Sequence, residues 1–166
     1  MGAFVATTTS DRNLAWVKAL GADVVIDYHK QDFATILHDY DVVLNGLGKA
    51  TLEKSLQVLK PGGQLISISG PPYLAFAIAQ GQPWWLQQVM RLLSYRIRKK
   101  AARLGIRYQF VFMRASAEQL DKISVLIESG AIRPIVDRVF PFDATADALA
   151  YVETGRAKGK VVISMK

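Results

Sequence analysis

The chain has 166 residues, of which 51% are hydrophobic and 21% are charged, and this composition predicts one globular domain. It contains no cysteine, which excludes disulfide bonds and thiolate zinc sites. The net charge is +7. Seven basic residues lie at positions 91–107 with no acidic residue among them, so this cluster alone accounts for the excess of positive charge. The first residues lack the pattern of a secretory signal, and we expect a cytoplasmic protein.

Short β-rich segments alternate with helical patterns along the chain, which predicts an α/β fold with a parallel sheet. The expected strands are 3–9, 24–26, 40–45, 64–69, 106–112, 135–140 and 160–164. The expected helices are 12–20, 31–38, 50–59, 117–129 and 144–153. This order is typical of a Rossmann-like, doubly wound sheet, and we expect a single domain over residues 1–166.

Segment 73–105 is unusually long for a connection between two strands, and we interpret it as a helical insertion. Its apolar residues recur at helical spacing opposite the basic ones: Trp85, Val89, Leu92, Leu93, Ile97, Ala101 and Leu104. The pattern fits a docked helix with a solvated cationic face, contact of 84–104 with an anionic membrane, or contact with nucleic-acid phosphates. No nucleic-acid-binding module is visible, so we expect no nucleic-acid partner.

The first predicted strand ends in hydroxyl side chains, at Thr9 and Ser10, and Arg12 lies on the first turn of the helix that follows. An NAD site has a carboxylate at this position, whereas the 2′-phosphate of NADP requires hydroxyl donors and a cation. Tyr28, at the end of the next strand, adds a ring or a hydroxyl beside the adenine. The alternative is that the hydroxyls only cap the following helix and that Arg12 is solvated.

Two further strands end in glycine and small polar residues, at 45–48 and at Ser69-Gly70. Ligands of open α/β sheets bind beyond the carboxyl ends of the strands, so these turns are candidate ligand contacts as well as ordinary turns. Ser69 does not stand in a nucleophile elbow, and His29 and His38 lack metal-ligand spacing. We therefore predict no catalytic residue and no metal site.

Several segments together resemble the quinone oxidoreductase-like, zinc-free branch of the medium-chain dehydrogenase/reductases, often called zinc-binding dehydrogenases. The stretches that carry the resemblance are 6–12, 20–23, 25–28, 40–44, 58–63 and 155–160. Their order and spacing match only the carboxy-terminal, cofactor-binding half of that family. The resemblance implies a domain in which 131–166 returns toward a catalytic domain.

The resemblance also implies NADP(H) as cofactor, a quinone or an α,β-unsaturated carbonyl as small-molecule substrate, and a homo-oligomer. It places the 2′-phosphate at the first two strand ends, the ribose and nicotinamide at the middle strands, and a phosphate near the carboxy terminus. The implied cofactor-binding residues are Thr9, Ser10, Arg12, Tyr28, Asn45, Gly46, Leu47, Gly48, Ser69, Gly70, Phe110, Val111, Phe112 and Arg156.

The resemblance further implies that the first Rossmann strand, its Gly-rich loop and the following helix are absent from this stretch. That strand is central in the 3-2-1-4-5-6 strand order, so its neighbours would carry unpaired backbone groups. We expect rearranged pairing, strand exchange with another chain, or oligomerisation. We also expect this chain alone to be inactive or to bind the cofactor weakly.

Two other classes of protein remain open from the residues. Segments 40–44 and 59–65 are also typical of class I S-adenosylmethionine methyltransferases, although Thr9-Ser10 lacks the acidic residue that such enzymes place at the second strand end. A non-catalytic nucleotide-binding or membrane-associated module is the third class.

Overall fold

The computed structural model describes residues 2–165, which form two compact units. The amino-terminal unit ends at Met113 and the carboxy-terminal unit begins at Arg114. In the amino-terminal unit the strands are β1 (Ala6–Thr9), β2 (Val24–Asp27), β3 (Tyr40–Asn45), β4 (Leu59–Ser67) and β5 (Arg107–Phe110). Its helices are α1 (Leu14–Ala19), α2 (Phe33–Ile36), α3 (Lys49–Val58), α4 (Leu74–Ala79) and α5 (Trp84–Arg103), with a 3-10 turn at Asp11–Asn13. All paired strands are parallel, which confirms the predicted Rossmann-like α/β class.

The sheet of this unit is divided into two pieces, β1–β2 and β3–β4–β5. A cleft of about 1160 Å³ separates β1 from β3 and is lined along its length by both strands. The expected rearranged strand pairing is therefore wrong for residues 2–165, because no other strand pairs with the facing edges of β1 and β3. The helices fix this separation, since α2, which follows β2, packs against α3, which packs against β3 and β4. Strand exchange and oligomerisation stay predictions.

The core of the amino-terminal unit lies between α3, β4 and α5. Leu65 of β4 is fully buried at its centre. The other buried members of this cluster come from the two helices and the chain beside β4 and β5: Leu52, Leu56, Leu59, Ile97, Ala101 and Ile106. Because β4 is the only strand with neighbours on both edges, its inward side chains are the best covered in the unit.

Helix α5 packs differently from the sequence-based expectation. Its buried residues are Ser94, Ile97 and Ala101, three and four positions apart on one stripe. Trp85 and Leu92 lie on the opposite side of the helix and are 56% and 73% exposed. The predicted apolar stripe is thus wrong for the first half of α5, because the sheet covers only one narrow strip of the helix.

Helix α2 is shorter than the predicted helix 31–38. It covers only Phe33–Ile36, and the Asp32 side chain caps it by accepting a hydrogen bond from the Ala34 amide at 3.1 Å. Leu37 is already extended, and Asp39 has a φ of 64°, so the backbone leaves helical geometry directly before β3. Strand β5 is also shorter than predicted, because it ends at Phe110 and not at residue 112.

The carboxy-terminal unit is built on the parallel pair β6 (Val136–Pro141) and β7 (Lys160–Ser164). Its helices are α6 (Ala117–Glu128) and α7 (Thr145–Glu153), with a 3-10 turn at Phe142–Ala144. The Tyr151 hydroxyl of α7 donates a hydrogen bond to Asp137 at 2.7 Å, and the Arg138 guanidinium lies 4.1 Å from the Tyr151 ring centroid. These contacts join α7 to β6.

Leu120, Ile123, Leu126 and Ile127 recur at helical spacing, which predicts a buried stripe on α6, and this prediction is wrong. No residue of α6 is buried, and the stripe residues are exposed: Leu120, Ile123, Leu126 and Ile127. A two-stranded sheet offers too little surface to cover two helices. Among residues 2–165, no helix combines the length and the hydropathy that crossing a bilayer requires.

The core cluster predicts the effect of a truncation at its centre. Leu65→Ala should lower the free energy of unfolding of the amino-terminal unit by about 3 kcal/mol, because it leaves a cavity in a fully buried site. Leu92→Ala, at an exposed position of α5, should change this free energy by less than about 0.5 kcal/mol. Urea titration followed by tryptophan fluorescence measures both, since all three tryptophans lie in this unit. Equal losses in the two variants would contradict this description of the core.

Candidate nucleotide site at the carboxyl ends of the strands

Three strands of the larger sheet end side by side. Asn45 of β3 is in register with Ser67 of β4, and Ser67 is in register with Phe110 of β5. Asn45 and Ser67 are buried at the ends of strands, where turns begin. Polar side chains buried at such a place require partners, and the surrounding turns supply them.

The Ser67 hydroxyl connects two turns at this edge. Its oxygen accepts a hydrogen bond from the Gly70 amide at 2.8 Å, and it lies 3.4 Å from Asn45 Oδ1. The Ser69 hydroxyl lies within hydrogen-bonding distance of Asn45 Oδ1 and also donates to the Leu47 carbonyl. The turn after β4 is thereby tied to the turn after β3, and the predicted contacts at 45–48 and 69–70 form one surface.

Gly70 is required by close packing at this edge. A Cβ atom at this position would lie 2.6 Å from the Tyr108 hydroxyl and 2.8 Å from Ser67 Oγ, which is closer than real Cβ contacts. The Tyr108 hydroxyl donates to the Pro71 carbonyl at 2.9 Å. Burial, with a smaller effect of Tyr73, raises the pKa of Tyr108 to about 12, so this hydroxyl stays protonated at neutral pH.

A second group of predicted residues lies at the carboxyl ends of β1 and β2. Thr9 is in register with Asp27, and the Tyr28 amide donates to the Thr9 carbonyl at 3.2 Å. Ser10 begins the 3-10 turn, but its side chain makes no capping hydrogen bond, which disfavours the interpretation of that hydroxyl as a cap. The side chain of Arg12 is exposed and has no ion pair within residues 2–165.

The two carboxylates near this second group are occupied by local contacts. Asp27 is buried, accepts a hydrogen bond from the His29 amide at 3.0 Å and lies 3.4 Å from Lys30 Nζ. Asp11 accepts a hydrogen bond from the Arg12 amide at 2.7 Å. Asp27 Oδ2 accepts no hydrogen bond within the described residues, and Asp11 is exposed. The hydroxyls and the guanidinium are the groups at this strand end that suit an anion.

The remaining predicted contact residues lie in the turns after β3 and β5 and in the carboxy-terminal unit. Gly46 lies in the turn after β3, and Gly48 caps the start of α3. Val111 follows β5 and donates its amide to the Ser67 carbonyl at 2.9 Å, while Phe112 is 67% exposed. Arg156 is exposed and belongs to the carboxy-terminal unit. Its amide donates a hydrogen bond to the Thr154 hydroxyl at 3.3 Å. The contacts of all these residues with a nucleotide stay a prediction.

Ser67 and Tyr108 were missed as site residues by the sequence interpretation. The signal that finds them is the register of the parallel strands, because Leu65 lies opposite Tyr108 and side chains alternate along each strand. Ser67, two residues after Leu65, therefore shares a face with Tyr108. The position of the following turn, which brings Gly70 between the two hydroxyls, requires the folded structure.

A metal site does not fit the residues of this chain. The sequence has two histidines and no cysteine, and within residues 2–165 no three His, Asp or Glu side chains are grouped as metal ligands. The His29 and Tyr28 rings are tilted by 41° relative to each other, with centroids 4.3 Å apart. No zinc-dependent step is derived from this chain.

A family model described as zinc-binding dehydrogenase matches residues 20–163. The chain belongs to this family. The tomato (Solanum lycopersicum) 2-methylene-furan-3-one reductase is 32% identical over 164 residues, which are 96% of this chain and 33% of that protein. The Arabidopsis thaliana chloroplastic NADPH-dependent alkenal/one oxidoreductase is 31% identical, with the same coverage of both chains.

Solved structures agree with the family assignment. The quinone oxidoreductase of Coxiella burnetii superposes with a TM-score of 0.74 and 26% identity, covering 99% of this chain and 46% of that one. The expected quinone oxidoreductase-like branch of the medium-chain dehydrogenase/reductases is confirmed, and the methyltransferase alternative is not favoured. The chain spans between a third and a half of the length of these relatives. The family's name refers to zinc, but no three potential metal ligands are grouped within residues 2–165.

The Tyr108 environment predicts a measurable titration. The difference in tyrosinate absorbance between the wild-type chain and Tyr108→Phe should show a midpoint near pH 12, whereas free tyrosine titrates near 10. Because the pKa is raised in the folded state, the stabilisation from Tyr108 is complete below pH 10 and is lost as the pH rises toward 12. Circular dichroism confirms that the fold persists. A difference midpoint at 10 would show that the Tyr108 hydroxyl is solvated.

Proposed function

We propose that this chain is the cofactor-binding portion of an NADPH-dependent oxidoreductase that reduces a quinone or an α,β-unsaturated carbonyl. The observation that carries the proposal is the end of β1, where Thr9, Ser10 and Arg12 offer hydroxyls and a cation, while the buried Asp27 forms an ion pair with Lys30. This set suits the 2′-phosphate of NADP(H). The names of the tomato and Arabidopsis relatives, a reductase and an NADPH-dependent oxidoreductase, support the reaction class.

The residues fit NADP(H) at two places. Ser10, Arg12 and Tyr28 would hold the adenosine end, with Arg12 neutralising the phosphate. Asn45, Ser69 and the backbone of 46–48 would border the ribose and nicotinamide, and the Ser67 hydrogen bonds keep these turns in place. Phe110 to Phe112 and Arg156 complete the proposed contacts. When bound, NADPH supplies the hydride that reduces the electron-poor carbon or the quinone.

We place the catalytic and substrate-shaping groups outside this chain. No described residue at the strand ends combines a free titratable group with a position beside the proposed nicotinamide edge. Segment 73–105 is proposed as an insertion, and 131–166 as the segment that returns toward a catalytic domain. We therefore propose that the chain alone is inactive or binds the cofactor weakly, and that the working protein is a cytoplasmic homo-oligomer.

The phosphate assignment predicts a preference between two nucleotides. Adenosine 2′,5′-bisphosphate should bind this chain at least about tenfold more tightly than AMP, which corresponds to about 1.4 kcal/mol. Arg12→Ala should remove the preference, because it deletes the free cation beside the two hydroxyls. Arg103→Ala on α5 is the matched control and should keep it. Chemical-shift titration by NMR suits weak binding, and equal affinities in the wild-type chain would contradict the proposal.

We also propose that α5 contacts an anionic membrane surface. Trp84, Trp85 and Leu92 are 75%, 56% and 73% exposed in its first half. The second half of α5 carries cations with no acidic residue among them. Within residues 2–165, Lys100 alone of these lies near a carboxylate, Glu53 at 3.7 Å. Exposed tryptophans beside cations are typical of helices that lie in the interface of a bilayer.

Vesicle sedimentation tests the membrane proposal. The chain should sediment with phosphatidylserine-containing vesicles at low salt, and Arg98→Glu with Lys99→Glu and Lys100→Glu should abolish this. The control changes the same net charge elsewhere, with Lys18→Glu, Lys49→Glu and Lys158→Glu, and should sediment like the wild-type chain. No sedimentation of the wild-type chain, or equal loss in both triple variants, would remove the proposal.

A further inference from the structure

Helix α5 extends well beyond the strands that it packs against. It lies between the end of β4 and the start of β5, and because those strands are parallel, it runs antiparallel to them. Its 20 residues span about 30 Å, whereas the 4 residues of β5 span about 13 Å. The Gly62 amide donates to the Gly105 carbonyl at 2.8 Å, which holds the carboxyl end of α5 beside the amino-terminal part of β4. The first half of α5 therefore projects past the carboxyl edge of the sheet.

The burial of α5 agrees with this overhang. Its buried residues are Ser94, Ile97 and Ala101, which all lie in the second half, where the helix covers the sheet. Trp84 and Trp85, in the first turn, are 75% and 56% exposed. Aromatic side chains of this size contribute most when they lie in a core or at an interface. The overhang therefore carries exposed apolar surface that the sheet does not reach.

The end of the overhang is a hydrogen-bonded turn between α4 and α5. Gly81, just after α4, has a φ of 64°, the left-handed conformation that ends a helix. Its amide donates to the Ile78 carbonyl at 2.9 Å, and the Gln82 amide donates to the Ala77 carbonyl at 3.0 Å. Ala77 is buried, whereas the Ile78 side chain is exposed. Residues 78–85, here called the tip, thus present apolar side chains on a fixed backbone.

Charge is segregated along the same segment. Residues 61–90 contain no charged side chain, and residues 91–107 contain seven basic residues and no acidic one. The exposed side of α5 changes in the same order, because Trp85, Leu92 and Lys99 follow one another at seven-residue spacing and share one side of the helix. A helix that lies flat in a bilayer interface keeps one apolar side along its whole length. Helix α5 is instead apolar at one end of its exposed side and cationic at the other.

We propose that the tip enters the interface of an anionic bilayer end first, with α5 inclined to the membrane plane. The uncharged tip suits the acyl-chain boundary, and the basic residues behind it suit the lipid phosphates. This placement rests on the membrane contact proposed for α5 and adds which end of the helix lies deeper. A second copy of this chain is a poorer occupant, because each copy has a net charge of +7, which opposes pairing through a basic helix.

Nitroxide labels at three positions on one side of α5 test the inclination. The chain contains no cysteine, so Trp85→Cys, Leu92→Cys and Lys99→Cys each accept a single label. On phosphatidylserine-containing vesicles, oxygen accessibility measured by electron paramagnetic resonance should place the labels at decreasing depth in that order. The outer two should differ by at least about 10 Å in depth, because they lie about 21 Å apart along the helix axis. Equal depths at the three positions would show a helix that lies flat and would overturn the proposal.

A pair of matched variants separates insertion of the tip from general charge effects. Trp85→Asp should lower the partition coefficient into these vesicles at least about tenfold, because a carboxylate is costly at the acyl-chain boundary. Leu120→Asp introduces the same charge at a residue of similar exposure, 63% against 56%, and should partition like the wild-type chain. Equal partitioning of the two variants would overturn the proposal.

Two further outcomes distinguish the possible failures. Dimers that shield the label at position 85 from water without lipid would show that a second copy covers the tip, and would overturn the proposal. A wild-type chain that does not bind the vesicles would remove the membrane contact of α5 together with the tip insertion. Equal label depths on bound protein would remove the tip insertion alone. Each outcome leaves the nucleotide preference at Arg12 untouched, because no nucleotide is present.

Discussion

The unpaired facing edges of β1 and β3 are the constraint on which the rest of the structure depends. Backbone groups that lack strand partners must be hydrated, so the cleft stays open and the sheet is held as two pieces. The same opening explains why Val42 and Leu44, which would be buried in a continuous parallel sheet, are exposed. It also divides the proposed nucleotide contacts between two sheet edges, one carrying Arg12 and the other carrying Asn45.

Within each piece the polar groups are placed by local hydrogen bonds and by strand register. Ser67 holds the Gly70 amide and meets Asn45, so the two turns of the larger sheet keep their positions relative to each other. At the smaller sheet, the pairing of Thr9 with Asp27 brings Tyr28 beside Ser10, while Asp27 forms an ion pair with Lys30. The polar groups of each proposed half-site are thus in place before any ligand binds.

Much of the fold could be predicted from the sequence because its signals are local. The apolar run of β3 and the glycine after α6 specify element type without tertiary information. The exposed sides of α5 and α6 could not be predicted, because Trp85 and Leu120 have the helical spacing of buried residues. Whether such a residue is buried depends on how much of the helix the sheet covers. The hydroxyls at Thr9 and Ser10 indicate the proposed anion site, but the role of Ser67 depends on register and on the turn that places Gly70 against it.

The central claim is that the polar groups at the end of β1 select the 2′-phosphate of NADP(H). Calorimetric titration of the chain with NADPH and with NADH, which differ only in this phosphate, tests it most directly. The account predicts an affinity for NADPH at least about tenfold higher than that for NADH, or about 1.4 kcal/mol. Equal affinities, or tighter binding of NADH, would contradict it.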